Sequence, residues 1–400
     1  METIQFIKEA EKIHQKLVTF RRYLHQNAET GFALRKTLPY VKKQLENMGY
    51  RPKPCGKAGL TTLINPTKQG KTFLLRADMD ALPITEETDL PFAAKNGAMH
   101  ACGHDMHTAM LLGAAYLLKK HEGQIPGRVK LLFQPAEETL EGAKDVLKHG
   151  VLSTPKVHAA AMLHVLTSTL PPTNTVIVAN GASAPYADFF TIEVQGKGCH
   201  GSMPQDGVDA LSVAAHIIIA LQALTARELS ITDGAIITIG SLQTGKAGNV
   251  ITDRALLKGS LRAFDKATQQ RLQKRIQAIA AHTAKAFRAN ANTLFQSGAP
   301  ALINDPALSD FALHSLSSAL PSDVLSTKAW GEKGRSGGSE DFAYIAARVP
   351  SVLISVAAGN VKDGFSYPPH HPKTKFDERA LPIGAAVYAQ LAFDWLREHS

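Results

Sequence analysis

The sequence predicts an α/β fold interrupted by an inserted α+β domain, on three observations. Apolar, β-branched runs alternate with helical patterns as far as His164 and again near the C-terminus. That alternation favours helices flanking a mixed, mostly parallel sheet. From about Gly181 the order becomes strand–helix–strand–strand–helix–strand, the ferredoxin-like order. The chain has 400 residues, more than one domain of roughly 150 residues accounts for. The expected division is 1–181 with 297–400 as one discontinuous domain and 182–296 as the insertion.

Each element has a local reason. Ile7, Ile13, Leu17 and Leu24 keep a helical face, and Lys36 to Met48 reads as a second helix. Gly59 to Asn65 and Thr72 to Arg76 are short apolar runs between turn residues and read as strands. Thr108 to Lys120 and Gly142 to His149 read as helices, and Val129 to Phe133 and Val157 to His164 as strands. In the insertion, Phe189 to Val194, Ala235 to Leu242, Ala255 to Phe264 and Thr293 to Gln296 read as strands. Val208 to Ala226 and Ala267 to Asn290 read as long helices. Ser351 to Val356 and Leu381 to Arg397 return to the α/β style.

Composition excludes several classes. The chain is 44% hydrophobic and 20% charged, which is ordinary globular usage and not that of a disordered chain or coiled coil. No stretch approaches 18 uninterrupted apolar residues, so no membrane-spanning helix is expected. The opening METIQFIKEAEKIHQKLVTF lacks the apolar core and cleavage site of a secretory signal. Lys plus Arg minus Asp plus Glu is 44 − 35 = +9. The cations are scattered and not interleaved with aromatics, so no nucleic-acid partner is expected. Three cysteines, Cys55, Cys102 and Cys199, are too few for a disulfide framework and point to a reducing, cytoplasmic setting.

The chemistry concentrates in a few segments. Met99 to His107 (MHACGHDMH) packs one Cys, three His and one Asp into nine residues. Thiolate and imidazole are transition-metal ligands, so Cys102 and His104 read as ligands. His100 and His107 read as supports of ligands or as helix caps. Phe133 to Glu138 (FQPAEE) follows a strand end. Of two adjacent carboxylates, one can bind a metal while the other serves as general base. Arg76 to Pro83 (RADMDALP) follows another strand; Asp80 there suits orienting a ligand, with capping or pairing to Arg76 as the structural alternative. His164 ends a strand, and His370 and His371 precede Pro372. Gly334 to Phe342 (GRSGGSEDF) is a Gly/Ser loop leading into acidic residues, and it is not a phosphate-binding P-loop. In the insertion, His200 and Asn249 suit polarising a carbonyl or holding an oxyanion, and Arg262 suits a carboxylate. Cys199 reads as a packed small residue.

RADMDALP, HACGHDMHTA, QPAEE, a strand-end MLH, GKGCHGSMP, GNV, SGGSEDF and HHP occur in one fixed order. This set resembles the amidohydrolase branch of the aminoacylase-like co-catalytic metallopeptidases. That branch includes hippurate hydrolase, N-acetyldiaminopimelate deacetylase and the indoleacetyl-amino-acid hydrolases. The resemblance runs from about Phe20 to Asp377. It implies a two-metal catalytic domain with an inserted lid, which in this family often mediates dimerisation or higher assembly. It implies Cys102, His104, Glu138, His164 and His370 as metal ligands, His370 being two before the Pro. It implies Glu137 as general base and acid and Asp80 as orienting the ligand network. It implies His200, Asn249 and Arg262 as substrate contacts, and two divalent ions: zinc, manganese, nickel or cobalt. The implied reaction is hydrolysis of N-acyl amino acids, with dipeptidase or carboxypeptidase action as the alternative. Two positions depart from the family pattern: Thr252 and Ala28 stand where Pro is common. A non-catalytic binder is disfavoured because Glu137 and every implied ligand are present. A redox role for Cys102 is disfavoured because no C-x-x-C partner exists.

Overall fold

The computed structural model describes residues 4–230, 233–327 and 337–399. The chain divides into two compact units. One comprises the chain up to Ser183 and its continuation from Ile303, and the other comprises Ala184–Leu302 with a short stretch ending at Ser339.

The first unit holds an eight-stranded sheet. Its spatial order is Lys53–Cys55, Gly59–Ile64, Arg128–Gln134, Thr72–Asp78, Ala159–Leu166, Ser351–Ala357, Val176–Val178 and Leu325–Ser326. Arg128–Gln134, Thr72–Asp78, Ala159–Leu166 and Ser351–Ala357 run parallel at its centre, and antiparallel pairs flank them. Thr72–Asp78 is buried along its whole length, as a strand covered on both faces must be. The helices His104–Lys120 and Leu381–Glu398 pack on each other and on this strand. Both are buried over most of their length.

The central strands part at their carboxyl ends. Thr72–Asp78 and Ala159–Leu166 stay in register only from Phe73 opposite Ala159 to Arg76 opposite Met162. Beyond that, side chains take over. Leu163 N–H donates to the Tyr388 hydroxyl at 2.8 Å, Tyr388 donates to the Arg76 carbonyl at 2.6 Å, and Val165 N–H donates to His107 Nε2 at 2.8 Å. Buried amides need such partners. The split lies at the carboxyl ends of parallel strands, where open α/β sheets place their sites.

The second unit runs Tyr186–Gln195, Ala210–Arg227, Ala235–Thr244, Arg254–Ala263, Lys266–Ala286 and Asn290–Ala299. Its four long strands are antiparallel and lie in the order second, third, first, fourth, the ferredoxin-like arrangement. Val213, Ile217, Leu221 and Leu224 of one helix and Leu272, Ile276 and Ala280 of the other pack with Ile192, Val194, Leu257 and Leu261 of the sheet. Ala210–Arg227 has a mean hydropathy of 1.5 and the length to cross a membrane, yet it forms part of this layer with one stripe buried.

Among the departures from the sequence expectation, two helix boundaries and one further helix have clear physical reasons. The helix expected from Thr108 begins at His104, because Gly103 adopts φ +89° and starts the helix four residues earlier. A side chain at Gly103 would collide with Val165 and Phe376, so only glycine fits. The helix expected to reach Asn290 stops at Ala286. Arg288 takes φ +64°, a left-handed helix end, and Asn290 already belongs to the next strand. The helix Pro306–Ala319 was not anticipated, although Asp305 caps it by accepting from Leu308 N–H at 2.9 Å and Pro306 stands at its first turn.

Candidate active site

Three segments meet at the strand ends of the first unit. The chain leaves the strand Arg128–Gln134 through Pro135 and through Ala136, whose φ of +56° turns the next two carboxylates inward. A non-glycine residue there costs of order 1–3 kcal/mol, and such strain gathers at functional sites. Asp80 holds the turn. Its Oδ1 accepts from Glu137 N–H at 2.9 Å and its Oδ2 from Glu138 N–H at 3.2 Å, while its carbonyl accepts from His104 Nδ1 at 2.8 Å. One buried aspartate thus ties the strand-end carboxylates to the first residue of the helix His104–Lys120.

The five implied ligands come together. Cys102 Sγ lies 3.6 Å from His164 Nε2. His104 Nε2 lies 3.8 Å from Glu138 Oε1 and 3.9 Å from Glu137 Oε2. His370 Nε2 lies 3.7 Å from Glu138 Oε2. Cys102, Glu138 and His370 form one compact donor group, Cys102, His104 and His164 a second, and His104, Glu137 and Glu138 a third. Apart from the sulfur contact of Cys102, these separations exceed hydrogen bonds. They match the spacing of about 3.4 Å between donors of a tetrahedral ion with bonds near 2.1 Å. His104 Nε2 and Glu138 Oε1 are buried without a hydrogen-bond partner, a costly state unless something else satisfies them. His164 Nδ1 donates to the Val165 carbonyl at 2.7 Å, so its Nε2 presents a lone pair, and the bond from His104 Nδ1 to the Asp80 carbonyl turns His104 Nε2 toward the same donors. The donor set therefore fits soft-to-borderline divalent ions.

Electrostatics lead to the same conclusion. Burial and His107 push His164 down to about 3, and burial and His104 lower His370. Both rings are thus neutral, as ligands must be; at His104 burial is outweighed by Asp78 and Cys102, which raise its pKa, so a bound cation must displace a proton there. Burial and then Glu138 push the Cys102 thiol up, so a bound cation must displace its proton. Burial raises Glu138 to about 7. Burial, Glu340, Asp341 and Glu138 raise Glu137. Asp78, Asp80, Glu137, Glu138, Glu340 and Asp341 are six carboxylates grouped with a single guanidinium, that of Arg76. Two divalent cations offset most of that excess, and buried charge demands such pairing.

A buried scaffold lies behind the donors. Arg76 Nη1 pairs with Asp78 at 2.7 Å, and its Nη2 pairs with Asp341 at 2.8 Å and Glu340 at 3.0 Å. Burial opposes ionisation of Asp78, but His104, His107 and Arg76 hold its carboxylate well below its usual range. Asp78 Oδ1 takes a bond from His107 Nδ1 at 2.6 Å. His107 Nε2 accepts from Val165, the neighbour of His164, so both ring nitrogens are occupied and His107 supports the site. Within RADMDALP, Asp78 pairs with Arg76, while Asp80 accepts from the two amides of the carboxylate turn. His100 is buried with neither ring nitrogen bonded. His371 stacks on Tyr367 instead of joining the donors.

The full set of donors, spacing and topology can be compared with known proteins. The sequence profile of Peptidase family M20/M25/M40 matches residues 74–394. The chain belongs to this family. It is 34% identical to the N-acetyl-L-cysteine deacetylase of Bacillus subtilis (strain 168), over 92% of this chain and 85% of that one. It is 35% identical to the IAA-amino acid hydrolase ILR1-like 4 of Arabidopsis thaliana, over 96% of this chain and 86% of that one. Among solved structures, the YXEP protein of Bacillus subtilis, a dinuclear metal binding peptidase of the M20 family, superposes with a TM-score of 0.83. It is 30% identical over 97% of this chain and 99% of that one. This M20 protein is a metal-dependent hydrolase that works with two divalent ions.

The remaining expected residues of this M20 chain lie in the second unit. His200 pairs with Val250 across a two-stranded ribbon, and Gly201 N–H donates to the Asn249 carbonyl at 2.8 Å, so His200 and Asn249 are neighbours. Both are exposed. Ser202 N–H donates to His200 Nδ1 at 3.1 Å, which leaves Nε2 as the protonated nitrogen. Arg262 stands on another strand, its Nη1 donating to Ser339 Oγ at 2.7 Å. Cys199 Sγ bonds to the Met203 carbonyl at 3.3 Å. Of the Gly/Ser loop, Gly334, Arg335 and Ser336 lie outside the described residues. Its acidic end carries a role the sequence reading missed: Glu340 and Asp341 crowd Glu137. Two carboxylates after a glycine-rich loop were the available signal, and only the fold pairs them with Arg76.

Proposed function

We propose that this protein hydrolyses the amide bond of N-acyl amino acids, with N-acetyl, N-benzoyl or related acyl groups, releasing a carboxylate and a free amino acid. The observation that carries this reading is Glu137. It is a buried carboxyl of raised proton affinity, held by Asp80 beside five metal-type donors. The naming of the deacetylase and amino acid hydrolase relatives supports the same substrate class.

Cys102, His104, Glu138, His164 and His370 are assigned to hold two divalent ions, of zinc, manganese, nickel or cobalt. Ions in such a site supply Lewis-acid polarisation of a carbonyl and acidify water. Glu137 takes the proton of the attacking water as its oxygen bonds to the acyl carbon. It then returns that proton to the nitrogen as the carbon–nitrogen bond breaks. His200 Nε2 donates to the developing oxyanion, Asn249 lies beside it, and Arg262 receives the substrate carboxylate. The inserted unit serves as a lid and as a dimer surface; Ile219, Ile236 and Leu242 are exposed on it. Cys55, Cys102 and Cys199 are free thiols, which supports a cytoplasmic setting.

The test is amino-acid release from a panel of N-acetyl, N-benzoyl and long-chain N-acyl amino acids and dipeptides. It is run as isolated, after chelation and after each metal is restored, with Glu137→Gln alongside. Metal-restorable release that Glu137→Gln loses is the expected result. Release from dipeptides alone would transfer the reading to a dipeptidase. No release with any metal would overturn it.

A further inference from the structure

At the opposite end of the same sheet, the first unit carries a cavity of about 600 Å³. It opens beside the amino ends of the strands whose carboxyl ends hold the metal donors. Arg128 and Lys130 begin the strand that leads to Glu137, so the two sites lie about 20 Å apart along one strand at 3.3 Å per residue. The volume is in the range of cavities that hold small organic ligands.

Five cationic side chains line it, Arg51, Lys53, Lys119, Arg128 and Lys130, against one carboxylate, Glu122. A sphere of that volume is about 10 Å across, no more than a Debye length at moderate salt, so their repulsion is not screened away. Charges with no task usually splay into water; here two are fixed in place. Lys130 is buried, and its ammonium donates to the Val151 carbonyl at 2.7 Å, the Thr154 carbonyl at 2.9 Å and the Pro155 carbonyl at 3.4 Å, so its charge is fixed behind the wall with its three protons engaged. Burial lowers it only to about 8, so it is charged at neutral pH. Arg128 is aimed by bonds to Thr72 Oγ1 at 3.1 Å and the Gly70 carbonyl at 2.8 Å. Glu122 is engaged by Lys119 at 2.6 Å. Arg51 and Lys53 stand exposed at the rim. Tyr50, Leu63 and Pro155 add apolar wall.

We propose that this cavity is a binding site, separate from the metal site, for a small organic polyanion bearing two or more phosphate or carboxylate groups. Arg51 and Lys53 pair with one anionic group at the rim, and Arg128 faces another within, with the fixed charge of Lys130 behind it. The apolar wall packs the body of the ligand.

The test is thermal unfolding of the metal-loaded enzyme with millimolar fructose 1,6-bisphosphate or benzene-1,3,5-tricarboxylate. Free metal is held constant, and sodium chloride of equal ionic strength is the blank. Arg51→Glu/Lys53→Glu removes the rim cations, and Lys266→Glu/Lys274→Glu makes the same charge change on an exposed helix of the other unit. A rise of roughly 1–3 °C in Tm is expected for the wild type and the control pair with at least one probe. The probe that produces it distinguishes phosphate from carboxylate recognition. Loss of that rise in Arg51→Glu/Lys53→Glu, with hydrolysis retained, is the expected signature. An equal rise in Arg51→Glu/Lys53→Glu, or no rise with either probe in the wild type, would overturn the site.

Discussion

The two units solve the problem of placing polar groups in opposite ways. In the first, the residues behind the donors are buried and each is held by another residue: Asp80 by two backbone amides, His104 by the Asp80 carbonyl, His107 by Asp78 and Val165, while His370 stands exposed at the edge of the donor group. In the second, His200 and Asn249 are exposed on a two-stranded ribbon. The strand patterns reflect the same contrast. Thr72–Asp78 is buried throughout, whereas Ala235–Thr244 is half-buried at best. Metal donors must be fixed within a fraction of an ångström and so need a rigid buried frame. A group that meets substrate can sit on a surface that adapts.

Substitutions in the two units should therefore fail differently. Glu137→Gln should lower kcat by about 10³-fold or more while metal analysis still finds two ions per chain. Loss of the ions as well would make Glu137 a ligand instead of the base. His200→Ala should lower kcat/KM by about 10²-fold with no change in Tm, because the side chain is exposed. A large drop in Tm would place it in the frame. His107→Phe should weaken metal affinity by about 10–100-fold, read by competition with a chromogenic chelator, since it frees Asp78 and the Val165 amide beside His164. Tyr388→Phe should cost about 1–3 kcal/mol of stability in urea unfolding, because it strands Leu163 N–H and the Arg76 carbonyl.

The smallest effect concerns His25. Burial and Arg21 disfavour its charge, but hydrogen bonds to Asp105 and Glu86 outweigh them and raise its pKa. A raised folded pKa means stability that is fully present below about 6.5 and fades as pH rises through the folded value. His25→Gln should flatten that alkaline decline in a pH series of Tm values. An unchanged slope would show that His25 is neutral in the fold.

Much of the site was legible in the sequence, because the local density of Cys102, His104 and the Glu137–Glu138 pair is hard to explain without a metal. Arg76, Glu340 and Asp341 were not legible as a unit: they lie about 260 residues apart in sequence, and no local pattern links them. His107 was seen, but whether it capped a helix or braced a ligand depended on which strand its far nitrogen met. The end of the helix Lys266–Ala286 was missed because Arg288, without glycine, takes a left-handed conformation.

The sequence by itself determined the α/β alternation and the inserted ferredoxin-like order and singled out a set of metal-type side chains, since periodicity and residue chemistry are local properties. Only the tertiary structure decided which nitrogens remain free, which carboxylate pairs with Arg76 and where the parallel strands part. Those outcomes depend on long-range hydrogen bonds and shared burial, in which a group's role is set by the partners the fold brings to it.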